Sequence, residues 1–222
     1  MRITGIHYGI LRIPLRTPFK TALRTVETIE DVIVRIETDS GHVGYGEAPP
    51  TVAITGDSLE SILEALRGSI GPALLGRDIL AIDGNCQTVQ NAVLKNTSAK
   101  AAAEIALYDL FAQQAGKPLY QVLGGGQPRL ITDLTISAND TATMLYDCES
   151  ALERGFTALK IKVGKDVGDD IARLQAIRRA VAGRASLRID ANQGWSAEQT
   201  ISVMHTLESG GEPFELIEQP VS

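Results

Sequence analysis

Apolar and polar side chains alternate along Asp31-Val32-Ile33-Val34-Arg35-Ile36-Glu37-Thr38, the two-residue period of a half-buried strand. Ile3 to Pro14 and Glu30 to Thr38 are rich in β-branched residues, so the first third of the chain is predicted to be a strand meander. Asp39-Ser40-Gly41-His42 carries turn chemistry, and Val43-Gly44-Tyr45-Gly46-Glu47 follows as an antiparallel partner. Between the early strands, Thr17-Pro18-Phe19-Lys20-Thr21-Ala22-Leu23-Arg24-Thr25 shows no clear period and is expected to be a loop. From Asp57 the spacing turns helical. Asp57 is the expected N-cap of a helix over 58–66 that Gly71-Pro72 should break. Further helices are predicted from Ile82 to Leu94 and from Ser98 to Ala115, the second ending at Gly116-Lys117-Pro118. Its close-set Ala101, Ala102, Ala103 and Ala106 allow a tight approach to a neighbour.

Tyr120 to Leu123 adds a short turn before Gly124-Gly125-Gly126, which sets an expected boundary between a first domain, 1–125, and a second, 126–222. Beyond it the pattern repeats. Strands are predicted at Leu130 to Ser137, Thr157 to Gly164, Leu187 to Asn192 and Phe214 to Pro220. Between them lie helices over 141–154, 166–181 and 196–207, stopped by Gly155, Gly183 and Gly210. Strand and helix in alternation with glycine stops is the pattern of a parallel α/β sheet. Four parallel strands do not close a barrel, and the last would present an open edge. The expectation is therefore the first part of a larger barrel; an open half-barrel that binds or assembles through its edge is the competing reading.

The chemistry-bearing residues fall on those strands. In Leu159-Lys160-Ile161-Lys162 the lysines share one face and the apolar residues the other. Two crowded ammonium groups repel, and each makes it easier for its neighbour to lose a proton. Asp190 and Glu218 end the next two strands, and in a parallel barrel the C-terminal strand ends are where chemistry sits. The bland alternatives are solvated lysines and an Asp190 that caps the following helix or pairs with Arg188 on its own face.

A formal net charge of -6 without a basic stripe excludes a nucleic-acid partner. Cys86 and Cys148 lack metal spacing and read as free thiols of a reducing compartment. His7, His42 and His205 show no ligand spacing. No apolar run approaches a membrane span and Met1-Arg2-Ile3-Thr4 does not open a signal peptide, so a cytoplasmic protein acting on a small molecule is expected, with self-association left open.

Taken together, Lys160-Ile161-Lys162, Asp190-Ala191-Asn192-Gln193-Gly194-Trp195 and Ile217-Glu218-Gln219-Pro220 resemble the motifs of the enolase superfamily, muconate-lactonizing-enzyme subgroup. The helix Ala101 to Leu110, with Gly116-Lys117-Pro118-Leu119 and Leu123-Gly124-Gly125, is similar to that subgroup's segment before its barrel. Thr17 to Thr25, Gly44-Tyr45-Gly46-Glu47-Ala48-Pro49-Pro50 and Ile54-Thr55-Gly56-Asp57 resemble the capping segments of dipeptide epimerases acting on L-Ala-D/L-Glu. The resemblance implies an α+β capping domain followed by the first half of a modified TIM barrel. It also implies Mg²⁺-dependent removal of a proton α to a carboxylate through an enediolate.

By match to the family's motifs, Lys162 is the general base, with Lys160 as its charged neighbour. Asp190 and Glu218 are metal ligands and Asn192 supports them. Arg24 would meet the glutamate side chain of a dipeptide, and Phe19, Ile54 and Thr135 would line its pocket. A family member's third metal carboxylate and opposing lysine belong to barrel strands absent from this sequence, which leaves activity of these 222 residues alone in question. Muconate cycloisomerase and o-succinylbenzoate synthase are the alternative enzymes of the same chemistry.

Overall fold

The structure, a computed structural model, describes residues 1–22, 24–126, 129–208 and 213–222. Two expectations, Leu23 of the early loop and the Gly210 helix stop, lie outside them. The chain divides into one unit of Met1–Pro14 with Thr28–Arg129 and another of Leu15–Glu27 with Leu130–Ser222.

Among the described residues the first sheet has the order β1-β2-β3, formed by β1 (Ile3–Lys20), β2 (Thr25–Thr38) and β3 (Val43–Ala48). Strands β2 and β3 pair antiparallel with Val34 opposite Gly46 and Ile36 opposite Gly44, around the predicted turn. The expected loop over 17–25 is mostly strand: β1 runs through Lys20 and β2 resumes at Thr25. β1 accommodates Pro14 and Pro18 because it is an edge strand, where a missing N–H need break no ladder bond.

Helices follow in the first unit: α1 (Val52–Thr55), α2 (Leu59–Ala65), a π-turn (Leu66–Ile70), α3 (Gly71–Leu74), α4 (Ile82–Ala92), α5 (Thr97–Ala115) and α6 (Leu119–Val122). Asp57 does not cap α2. Ser58 does, in a reciprocal capping box with Ser61, while the buried Asp57 carboxylate accepts the Ser98 N–H at 3.0 Å in the first turn of α5. Nor does Gly71-Pro72 break the helix. The π-turn carries it onward, with the Leu66 carbonyl accepting from both the Gly71 N–H and the Tyr8 hydroxyl, the latter at 2.9 Å. The core joins Val32, Val34 and Ile36 of β2 to Ala102, Ala103, Ala106 and Leu110 of α5. Glycine at 44 and 46 sets the distance between them: a Cβ there would lie 2.3 Å from the Ala106 carbonyl oxygen and 1.9 Å from that of Ala102.

The second unit contains β4 (Leu134–Ile136), α7 (Thr141–Glu153), β5 (Ala158–Lys162), α8 (Val167–Val181), β6 (Ser186–Asp190), α9 (Ala197–Glu208) and β7 (Leu216–Glu218). Its strands are all parallel, in the order β4-β5-β6-β7 among the described residues. This is the start of a TIM barrel after an antiparallel capping sheet. β4 is shorter than its apolar pattern suggested, because Leu130 and Ile131 are 89% and 81% exposed. Leu159 and Ile161 of β5 and Ile189 of β6 pack against Met144, Cys148, Leu174, Ile177 and Val203 of the helices. That burial leaves the other sheet face for the polar residues of the same strands.

Burial pushes the Cys148 thiol up to about 12, with Asp147 and Glu149 adding to it. At pH 8 the thiolate fraction is then roughly 10⁻⁴, so iodoacetamide should label Cys148 only on unfolding. Mass-spectrometric labelling of native Cys148 at the rate of a free thiol would contradict this burial. No helix among the described residues is long and apolar enough to cross a membrane.

Candidate active site

The sheet register builds the site. Lys162 of β5, Asp190 of β6 and Glu218 of β7 are direct partners in one row across three strands, and Thr135 of β4 and Lys160 of β5 are paired in the row before it. Paired residues of neighbouring parallel strands project to the same face about 4.8 Å apart, so these side chains converge. Lys162 Nζ donates to Asp190 Oδ2 at 2.6 Å and to Asn192 Oδ1 at 3.0 Å. Lys160 Nζ reaches forward to the same Asp190 oxygen at 3.0 Å and to Glu218 Oε2 at 2.6 Å. One ammonium thus sits between two carboxylates, and one carboxylate holds two ammonium groups.

The exposures are graded. The Asp190 side chain is 1% exposed and that of Lys162 8%, whereas Glu218 is 40% exposed. Buried charges of this kind persist only when paired and hydrogen-bonded. Burial would push the Lys160 ammonium toward neutrality, but its bonds to Glu218 and Asp190 outweigh that and raise its proton affinity. The sequence reading, that the lysine pair would lower each other, is therefore reversed at Lys160 while the carboxylates hold it. For Asp190, burial alone would raise the pKa, and Lys162, Lys160 and the Asn192 N–H together bring it below the usual carboxylate range.

Backbone strain collects beside these groups. Asn192, Gln193 and Gln219 all have positive φ, of 47°, 65° and 38°. The cost is offset locally: the Asn192 N–H donates to Asp190 Oδ1 at 2.9 Å, and the Gln193 N–H to the Gln219 carbonyl at 2.7 Å. Asn192 therefore touches both Lys162 and Asp190.

The remaining expected residues divide. Phe19 presents its ring to Lys162, 5.9 Å from Nζ to the centroid. Lys20 beside it is tied to the end of β4 through Asn139 at 2.7 Å and the Ala138 N–H at 3.1 Å. Thr135 is half-buried and adjoins Lys160 in register. Arg24 is half-buried and lies just before β2, and among the described residues its guanidinium makes no ion pair. Ile54 lies on α1 in the first unit and is 61% exposed. Arg188 does not pair with Asp190. It bridges Asp133 at 2.8 Å and Glu215 at 3.0 Å, one row below the site.

Sequence reasoning passed over Asp170, which is fully buried and accepts hydrogen bonds from Gly164, Trp195 and Arg173. A signal was present. Asp170, Leu174, Ile177 and Val181 share the helical spacing of one face, so a carboxylate stands at a core position of α8.

Two carboxylates sharing a row could hold a hard cation through oxygen, and the Lys160 ammonium already shows a positive charge seated between them. Among the described residues, no three His, Cys, Asp or Glu side chains gather as a complete metal site.

Residues 8–124 match the family model described as mandelate racemase / muconate lactonizing enzyme, N-terminal domain, and 143–222 match the enolase C-terminal domain-like model. The chain belongs to this family of the enolase superfamily. It is 50% identical over its whole length to the L-Ala-D/L-Glu epimerase of Bacillus subtilis, of which it covers 61%. The solved substrate-liganded complex of the Bacillus subtilis L-Ala-D/L-Glu epimerase matches all of the chain at a TM-score of 0.98, with 62% of that structure covered. A dipeptide epimerase from Cytophaga hutchinsonii, solved with Mg and D-Ala-L-Val, matches at 38% identity and a TM-score of 0.93, over the whole chain and 60% of that structure. This family member thus spans about three fifths of the length of the curated relatives it matches.

Proposed function

We propose that the chain forms the cap and the lysine-bearing part of the active site of a Mg²⁺-dependent dipeptide epimerase, acting on L-Ala-D/L-Glu or a close analogue. The observation that carries this is the shared row: Lys162, Asp190 and Glu218 side by side, with Lys160 bonded to both carboxylates. The likeness to the Bacillus subtilis and Cytophaga hutchinsonii epimerases supports the substrate class.

A divalent cation held by Asp190 and Glu218 would supply fixed positive charge to the substrate carboxylate while the α-proton leaves. The chain's own residues supply the following parts. With those carboxylates engaged elsewhere, Lys160 loses the bonds that raise its proton affinity, and its repulsion with Lys162 favours a neutral amine. Lys162, the more buried of the two, takes the α-proton at Nζ. Asn192 holds Lys162 in line through its 3.0 Å bond, and the Phe19 ring shields it from water. Arg24, without a described carboxylate of its own, offers a planar fork to the side-chain carboxylate of the dipeptide.

Incubation of the chain, and of any longer product containing it, with L-Ala-D-Glu and Mg²⁺ in D₂O should put deuterium on the α-carbon of the glutamate residue. Mass spectrometry and NMR read this directly. Absence of that label together with turnover of another carboxylic acid would reject the dipeptide assignment.

A further inference from the structure

The loops after β5 and β6 begin directly beyond Lys162 and Asp190, and they meet backbone to backbone. Gly164, two residues beyond Lys162, has φ +100°, and a Cβ there would lie 2.2 Å from the Ala191 carbonyl oxygen. A Cβ on Gly194 would lie equally close, 2.2 Å, to the Gly164 carbonyl oxygen. A contact this tight has no room for a side chain from either loop.

The side chain that joins them comes from α8. Asp170 Oδ2 accepts the Gly164 N–H at 2.8 Å and the Trp195 Nε1–H at 3.1 Å, one donor from each loop. Its Oδ1 accepts Arg173 Nη1 at 2.8 Å, which anchors the carboxylate to its own helix. Capping of α8 is not its task, because Asp166 accepts the Asp169 N–H at 3.0 Å and does that. The connection extends to a third loop: the Trp195 N–H donates to the Pro220 carbonyl at 3.0 Å, and the Gln193 N–H to Gln219 at 2.7 Å. Segments following Lys162, Asp190 and Glu218 are thus tied in series, with a fully buried carboxylate as the first knot.

We infer that Asp170 is a positioning residue: by holding Gly164 and Trp195 on one oxygen it fixes the spacing between the strand that bears Lys160 and Lys162 and the strand that bears Asp190. Only the effect on turnover rests on the proposed reading of the lysines; the coupling of the loops does not. A buried carboxylate suits the post because it accepts from several donors at once and keeps them charge-assisted. An amide of the same shape would turn its NH₂ toward a donor on one side.

The test uses the ¹⁵N-labelled protein and two variants, Asp170→Asn and Trp195→Phe. Hydrogen exchange at Gly164 and Gln193 should accelerate at least about tenfold in both, and the Lys162 ammonium resonance should shift or broaden. Amides of Leu159 and Ile189, inside the strands, should keep their rates within about twofold. If Asp170→Asn fails to fold, Trp195→Phe still reports, since it leaves the carboxylate two of its donors. Unchanged exchange at both loops, or an unmoved Lys162 resonance, overturns the inference. In α-proton exchange, kcat should fall about tenfold with KM nearly constant; an unaltered kcat in a variant with loosened loops also overturns it. No exchange by a longer product that contains the whole chain would instead reject the proposed function, and the resonance measurements would still decide the role of Asp170.

Discussion

Replacing Lys162 by alanine lowers the rate of α-proton exchange by about 10²–10⁴-fold, the range a positioned general base supplies. The geometry makes this residue harder to replace than its neighbours. It is nearly buried, faces the Phe19 ring and is held by two acceptors, Asp190 and Asn192, at 2.6 and 3.0 Å. Water cannot easily take its position, and Lys160 springs from β5 one row earlier, level with Thr135 and Arg188. The measurement is deuterium incorporation into the dipeptide over time, with circular dichroism to establish that the variant is folded. A folded Lys162→Ala protein exchanging within threefold of the parent would remove Lys162 from the reaction.

Gly46→Ala costs about 3 kcal/mol or more of stability, the upper end of what forcing atoms into a packed core costs. The new Cβ would meet a backbone oxygen at 1.9 Å, that of Ala102, and a backbone oxygen cannot rotate away as a side chain can. Sheet and helix must separate, and the buried contacts of Val34 and Ala106 loosen with them. Gly9→Ala is the internal control. A Cβ at Gly9 has nothing within 4 Å, so that change should be neutral or slightly stabilising. Urea unfolding of the two variants separates the cases, and equal midpoints would show that β3 and α5 are not in close approach.

Much of this was legible in the residues, and the reasons differ by place. The alternation of β2, the alanine face of α5 and the strand-helix repeat of the second unit are local patterns, and the fold uses each as written. Lys160, Lys162, Asp190 and Glu218 were legible for the same reason: parity along a strand fixes which side chains share a face. What local pattern does not carry was misread. The loop expected over 17–25 is mostly strand because β1 is an edge that tolerates Pro18, and edges are a property of the whole sheet. Asp57 and Ser58 are equally good caps by type, and the choice fell to the distant Ser98 N–H that Asp57 serves. The Lys160 shift needed distances, because burial and attraction to Glu218 and Asp190 oppose each other and the contacts at 2.6 and 3.0 Å win. Asp170 was hidden among the acidic residues that favour any helix N-terminus, and its core-facing register was the clue left unused.

Diffraction from crystals soaked with Mn²⁺, a cation suited to the same oxygen ligands as Mg²⁺, gives an anomalous peak wherever the cation rests. It should appear between the Asp190 and Glu218 carboxylates, with the Lys160 ammonium withdrawn from them. A saturating soak that leaves that position empty and Lys160 still bridging both carboxylates would contradict the account.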